Sequence, residues 1–145
     1  MTGKLIFATA LLGASLGYAT SSFAEGALAV GMPDGDPSKG FRWSAKVNTP
    51  DVAAAVMKDC RTARNPATGA ACKLAGTFRD QCVAVAVSGD PDPAPVSAAG
   101  WAIAPDSATA TSRALAQCDA MRKKGGKSCV LDHKDGKPLC DGKAK

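Results

Sequence analysis

The chain alternates between short apolar runs and longer amphipathic stretches, and this pattern predicts its secondary structure. Residues 27–30 and 82–87 are continuous apolar runs, which are typical of buried strands. Residues 41–46 alternate between apolar and polar side chains, which predicts a strand with Trp43 on its apolar face. Further strands are predicted at 72–78, 98–104 and 128–133.

Two stretches carry apolar residues at the spacing of an amphipathic helix. The first follows Thr49-Pro50-Asp51, where Thr49 is expected to cap the helix, and it ends before Asn65-Pro66. The second is expected to begin with Ser107 as its cap and to stop at Gly125-Gly126. The buried faces are predicted to hold Val52, Val56 and Cys60 in the first helix, and Thr111, Ala114, Leu115, Cys118 and Met121 in the second.

The order strand, strand, helix, strand occurs twice, and tryptophan and cysteine recur with it. Trp43, Cys60 and Cys82 recur 58 residues later, and Cys72 recurs as Cys129 at a spacing of 57. The sequence therefore predicts two pseudo-symmetric β-β-α-β units, at about 26–82 and 83–140. They are expected to form a single α+β domain over 25–145, with two helices packed on one antiparallel or mixed sheet. The polar residues 141–145 are expected to form a frayed tail.

The first 24 residues have the features of a secretory signal peptide. Lys4 supplies the positive start, Leu5 to Ala19 is apolar, and Ser22-Phe23-Ala24 carries the small residues that precede cleavage. A membrane anchor is the alternative, but the apolar run is short for a span and contains glycine, serine and threonine. We therefore expect cleavage after Ala24 and a periplasmic or extracellular protein with no integral membrane segment.

All six cysteines follow the predicted cleavage site. An even number in an oxidising compartment favours three disulfides, and a zinc site is disfavoured because close Cys pairs are absent and His133 is the single histidine. Pairing like with like across the repeat predicts Cys60–Cys72, Cys118–Cys129 and Cys82–Cys140, the last joining the two unit ends. The set with Cys60–Cys129 and Cys72–Cys118 is equally symmetric and stays open.

The chain resembles the family called domain of unknown function 4189. The likeness is carried by residues 26–30, by Phe78 to Ala86, and by Cys60 and Cys72. The second half adds Gly100-Trp101-Ala102-Ile103-Ala104, then Ala114-Leu115-Ala116-Gln117-Cys118, then Cys129-Val130. The resemblance covers nearly the whole mature chain. It implies a small secreted bacterial protein of that family's fold, and it supplies no catalytic residues.

The charge of the chain is compatible with an anionic partner. The formal net charge is +5, from 18 Lys and Arg against 13 Asp and Glu, and loss of Lys4 leaves +4. The densest basic run could bind an anionic envelope component or an acidic protein face. The alternative is a solvated helix end, where positive charge complements the helix dipole. The run consists of Arg122, Lys123, Lys124 and Lys127. Nucleic acid is not expected, because aromatic residues for base stacking are few.

Few other residues suggest chemistry. His133 lies between Asp132 and Asp135 and is the candidate general base, with an exposed strand end as the plainer interpretation. Trp43 and Trp101 are expected to fill the core, or to form a stacking cleft if they are exposed. Asp34, Asp36 and Ser38 begin like a calcium loop, but the later ligand positions are missing, so no metal and no cofactor is expected.

The sequence thus favours a secreted, disulfide-stabilised interaction module without catalytic activity. Its partner would be a host protein, an envelope component or a secreted enzyme that it inhibits. A small secreted hydrolase that uses His133 with Asp132 or Asp135 is the alternative. A purely structural envelope protein is a third hypothesis.

Overall fold

The computed structural model describes residues 26–89, 96–142 and 144. The predicted signal peptide and its cleavage site lie outside the described residues. The strands are β1 (Gly26–Gly31), β2 (Arg42–Val47), β3 (Cys72–Phe78), β4 (Cys82–Ser88), β5 (Ala98–Ala104), β6 (Cys129–Leu131) and β7 (Leu139–Cys140). The helices are α1 (Val52–Arg61), α2 (Pro66–Ala70) and α3 (Ser107–Met121), and two short 3-10 turns cover Pro33–Gly35 and Pro37–Lys39.

The strands form two antiparallel sheets. In the first sheet β1 is central, with β2 on one side and β3 on the other. In the second sheet β4 is central, between β5 and β6, and the short β7 also pairs with β4. The α+β class is confirmed, whereas the expectation of one sheet is wrong. Each central strand is apolar on both faces, because one face packs against a helix and the other packs against the opposite sheet.

The described part of the molecule has four layers, with the two sheets inside and a helix on each outer face. Leu28 and Val30 of β1 pack against Val83 and Val85 of β4 in the cluster between the sheets. The alternate residues of the same strands face outwards. In β1 they are Ala27 and Ala29, which pack under α1, and in β4 they are Cys82, Ala84 and Ala86, which pack under α3.

Small residues let α3 lie close to the second sheet. Ala110 and Ala114 of the helix are fully buried against Ala84, Ala86 and Ala98 of the sheet. A Cβ built on Gly100 would collide with the helix backbone at Ala114 and Cys118. The alanine content of this chain therefore serves close backbone packing, which recovers contacts that large side chains would otherwise make.

The three disulfides are those predicted first: Cys60–Cys72, Cys118–Cys129 and Cys82–Cys140. The first two join a helix to the strand that follows it, as expected. The expected role of the third is wrong, because Cys82 and Cys140 are directly opposed on β4 and β7 within the second sheet. It therefore fastens the short C-terminal strand β7 to β4 and does not join the two sheets.

Both sheets have the same strand order, but the two tryptophans do not occupy equivalent strand positions. Gly31 pairs with Cys72 in the first sheet, and Ser88 pairs with Cys129 in the second. When the two cysteines are aligned, Gly31 is therefore equivalent to Ser88. Gly31 pairs with Arg42 and Ser88 pairs with Ala98, so Trp43 corresponds to Ala99 and Trp101 lies two residues further along its strand. The pseudo-symmetry of the units stays a prediction, and the common spacing of 58 does not extend to equivalent strand pairing.

The helix ends differ from those expected. Asp106, and not Ser107, caps α3 by accepting a hydrogen bond from the Thr109 N–H. In the first unit Thr49 bonds to the Val47 carbonyl, and α1 begins after Asp51, which has a positive φ and no side-chain cap. Asn65-Pro66 does not only end a helix. Asn65 accepts from the Ala67 N–H and so starts the short α2.

Asp141 is not part of a frayed tail. It is fully buried, its amide N–H donates to the Gln81 carbonyl, and its Oδ2 accepts a hydrogen bond from the Asp80 N–H. The tail was expected to fray because it is polar, but these backbone hydrogen bonds hold Asp141 beside the start of β4. Within the described ranges, no helix is both long enough and apolar enough to cross a membrane.

Candidate functional site

Trp43, Asp132 and His133 form a cluster where β2 meets the segment after β6. The Trp43 Nε1–H donates to Asp132 Oδ2 at 2.7 Å, and the indole and imidazole ring centroids are 4.8 Å apart with planes tilted by 49°. The amide N–H of Asp132 donates to the Val85 carbonyl at 2.8 Å. The structure therefore brings together two residues that the sequence proposed for different roles.

The imidazole of His133 supplies β4 with a hydrogen-bond acceptor beyond the last residue pair between β4 and β6. Its Nε2 accepts a hydrogen bond from the Val85 N–H at 3.0 Å, just where β6 has ended and offers no carbonyl. An acceptor nitrogen is unprotonated, so the ring is neutral, with its proton on Nδ1. Burial lowers the pKa of His133, and the Asp132 carboxylate partly opposes that shift. The lone pair that a general base needs is occupied by the backbone.

A hollow of about 480 Å³ lies against Trp101. Counting from the cysteines, Ala75 and Gly76 hold the positions that Asp132 and His133 hold in the second unit. Of these two small residues Ala75 lines the hollow, whereas Gly76 faces the Cδ1 atom of Ile103. The hollow is lined by Val30, Met32, Asp34, Gly35, Ala71, Lys73, Ala75 and Trp101.

Both tryptophans are half-buried and pack on the core between the sheets, so each is partly core and partly surface. They line two different hollows and do not form one cleft. Sequence reasoning singled out Trp101 but missed Ala75 and Lys73. Those positions are recognisable only when the packing of the two sheets places β3 against β5.

The predicted basic run lies beyond α3, which ends at Met121. Arg122 has a structural role, because its Nε donates to Asp119 Oδ1 at 3.1 Å and its Nη1 donates to the Gly126 carbonyl at 2.8 Å. These contacts fold the chain back after the helix, and Lys123 and Lys124 are exposed there. The run therefore presents lysines at a turn and does not extend the helix.

The acidic turn of the first unit is closed by its own side chains. Asp36 accepts from the N–H and hydroxyl of Ser38, and these hydrogen bonds lower the pKa of Asp36. Asp34 accepts from Lys39 Nζ at 2.8 Å, and this ion pair raises the pKa of Lys39. No group of three or more potential metal ligands occurs among the residues that the structure describes.

With the fold and these hollows established, the comparison with protein families places the chain. It belongs to the family described as domain of unknown function (DUF4189), which matches residues 25–135. No curated protein and no solved structure matches this chain. Its resemblance to that family, inferred from the Cys-bearing helix ends, is thus confirmed.

Proposed function

We propose that this protein is a secreted binding module without catalytic activity, and that the Trp101 hollow receives an apolar side chain of a protein partner. The observation that carries the proposal is the hollow itself. It combines an aromatic wall, apolar residues of β1 and β3, and a charged rim formed by Lys73 and Asp34. An aromatic residue in a partly desolvated recess is the usual centre of a binding hot spot.

The proposed absence of catalysis is supported by the contacts of His133. Its Nε2 is held by the Val85 N–H, and Asp132 is held by Trp43, so neither residue of the suggested pair is poised toward a substrate. Asp135 is exposed on the following turn. A hydrolase built on this cluster would first have to break contacts that maintain the second sheet.

Secretion is supported by the three disulfides. They join segments of a domain whose helix–sheet contacts are made largely by alanine, and such bonds persist in oxidising compartments. The predicted cleavage after Ala24 is consistent with export to such a compartment. We also propose that Lys123 and Lys124 contact an anionic group of the partner. This contact would make a smaller contribution to binding, and that contribution would weaken as the salt concentration rises.

A partner capture tests the proposal. The mature chain, tagged at its C-terminus, is recovered from periplasm and medium without reductant, and bound molecules are identified by mass spectrometry. The test variant is Ala75→Leu, which fills the hollow from an exposed strand position. The control is Val130→Ala, which trims an exposed apolar side chain of the other sheet. A stoichiometric protein partner retained by the control and lost by Ala75→Leu is expected.

Two outcomes would overturn the proposal. A partner bound equally by both variants would place binding elsewhere, and retention by purified cell wall with no protein partner would favour the structural envelope role. For the hydrolase alternative, a substrate screen is repeated with His133→Gln. Turnover that depends on His133 would contradict the absence of catalysis.

A further inference from the structure

A second hollow, of about 420 Å³, lies between the start of β2 and the loop that joins α1 to α2. It shares no lining residue with the Trp101 hollow, so it is independent of the proposed function. Its lining includes two arginines and an asparagine but no carboxylate among the described residues. The residues that line it are Gly40, Phe41, Arg42, Ala63, Arg64, Asn65 and Thr68.

The two guanidinium groups have no carboxylate partner in the described part of the chain. Arg42 and Arg64 are both exposed, and neither belongs to an ion pair there. The charge of Arg42 interacts with Asp59, but the Asp59 carboxylate is already paired with Lys46 Nζ at 2.6 Å. Two cations thus lie at one hollow without a direct ion pair among the described residues.

A buried hydroxyl without a partner lies at the floor of the same hollow. Thr68 is 2% exposed, and its Oγ1 makes no hydrogen bond. Gly40 closes over it so tightly that a Cβ at that position, where φ is +139°, would collide with the hydroxyl. An unpaired buried hydroxyl costs stability, so a site that retains one calls for a ligand or another compensating role.

We propose that this hollow binds an oxyanion, with Arg42 and Arg64 supplying charge and the Thr68 hydroxyl supplying a hydrogen bond after rotation of its side chain. Guanidinium groups match planar carboxylates and tetrahedral sulfate or phosphate through paired N–H donors. A neighbouring hollow shares Phe41 and Arg42 and contains both Lys134 and the Asp132 carboxylate, so the carboxylate-free lining is confined to the Arg42–Arg64 hollow. This hollow is separate from the exposed turn that carries Lys123 and Lys124.

An NMR titration of the isotope-labelled mature protein tests the site. Sodium sulfate and sodium acetate are the probes, and sodium chloride holds ionic strength constant. We expect saturating shifts at the Arg42 and Arg64 side chains and at the amides of Gly40, Asn65 and Thr68. The double variant Arg42→Gln, Arg64→Gln is expected to weaken binding at least about tenfold. The matched control, Arg113→Gln with Lys137→Gln, removes the same charge from exposed positions outside both hollows, and it should change the anion affinity less than about twofold.

The result that overturns the site is a linear, non-saturating response, or equal weakening in the two double variants, because either indicates general screening of a basic protein. Thr68→Val keeps the side-chain shape and removes the hydroxyl. Binding about threefold weaker, with the arginine shifts retained, supports the hydroxyl as a ligand. Unchanged affinity in Thr68→Val would remove that residue from the site.

Discussion

The imidazole of His133 has one ring nitrogen engaged by the main chain, and this contact determines how the residue responds to pH. The Val85 N–H needs an acceptor because β6 ends at Leu131. Protonation at Nε2 would replace that acceptor with a second donor. The neutral ring is therefore the form that stabilises the end of the second sheet.

We predict that stability falls as pH drops through the range in which His133 gains a proton on unfolding. The folded pKa is lowered by burial, so below the unfolded value of about 6.5 the unfolded chain binds the proton first. The contribution of the neutral ring is complete above that value and is lost as pH falls toward the lower folded pKa. His133→Gln keeps an acceptor that does not titrate. Urea unfolding from pH 7.5 to 4.5 should show the wild type losing stability relative to this variant.

A constant difference between the two proteins over that pH range would contradict the assigned hydrogen bond. Sequence alone marked His133 as special because it is the single histidine and is flanked by carboxylates. The hydrogen bond from the Val85 N–H could not be predicted from the sequence, because Val85 is 48 residues away from His133 and the contact depends on where β6 ends. The Trp43 to Asp132 bond was unforeseeable for the same reason.

At the scale of elements, α3 and β5 are held together by backbone contact more than by side-chain bulk. Gly100 faces the backbone of the helix, whereas Gly76 of β3 faces only the Cδ1 tip of Ile103. Both glycines lie in strands and neither has a positive φ. An added methyl group would meet rigid helix backbone at Gly100 and the end of a flexible side chain at Gly76, so the two positions form a matched pair.

We predict that Gly100→Ala lowers the free energy of unfolding by about 2 kcal/mol, because the helix must move away from the sheet. Gly76→Ala should change it by less than about 1 kcal/mol, since the side chain of Ile103 can rotate aside. Urea denaturation followed by circular dichroism measures both. Equal effects in the two variants would show that α3 is not fixed by the close approach at Gly100.

The sequence pattern predicted the strands well where each is long and apolar. The predicted span of β3 agrees fully with the structure, and so does that of β5, because turns flank both sharply. It missed α2 and β7, which are too short to show a period. It also placed all strands in one sheet. Apolarity on both faces of β1 and β4 is equally compatible with a strand covered by two helices or by a helix and another sheet.

At the scale of the whole molecule, the two sheets share one interior. Leu28 and Val30 of the first sheet are in the same cluster as Val83 and Val85 of the second, and both tryptophans pack against that cluster. A three-stranded sheet with one helix would expose this face if it stood alone. The disulfides do not bridge the two sheets, since Cys60–Cys72 lies within the first sheet and its helix, and the other two lie within the second sheet and α3. Cohesion between the sheets must therefore come from the apolar interface.

We predict that both halves unfold in a single cooperative transition, because separating the sheets would expose the apolar inner face of each one to water. The two tryptophans belong to different sheets, Trp43 to β2 and Trp101 to β5, and each side chain also contacts the other half. Trp43→Phe and Trp101→Phe each leave one fluorescent reporter. Within each variant, the fluorescence midpoint in urea should coincide with the midpoint from circular dichroism. Comparing probes inside one variant removes the stability change that the substitution itself causes, including the lost hydrogen bond from Trp43 to Asp132. If fluorescence changes before circular dichroism in one variant and after it in the other, the two halves are independent folding units and the shared core is a docking interface between them.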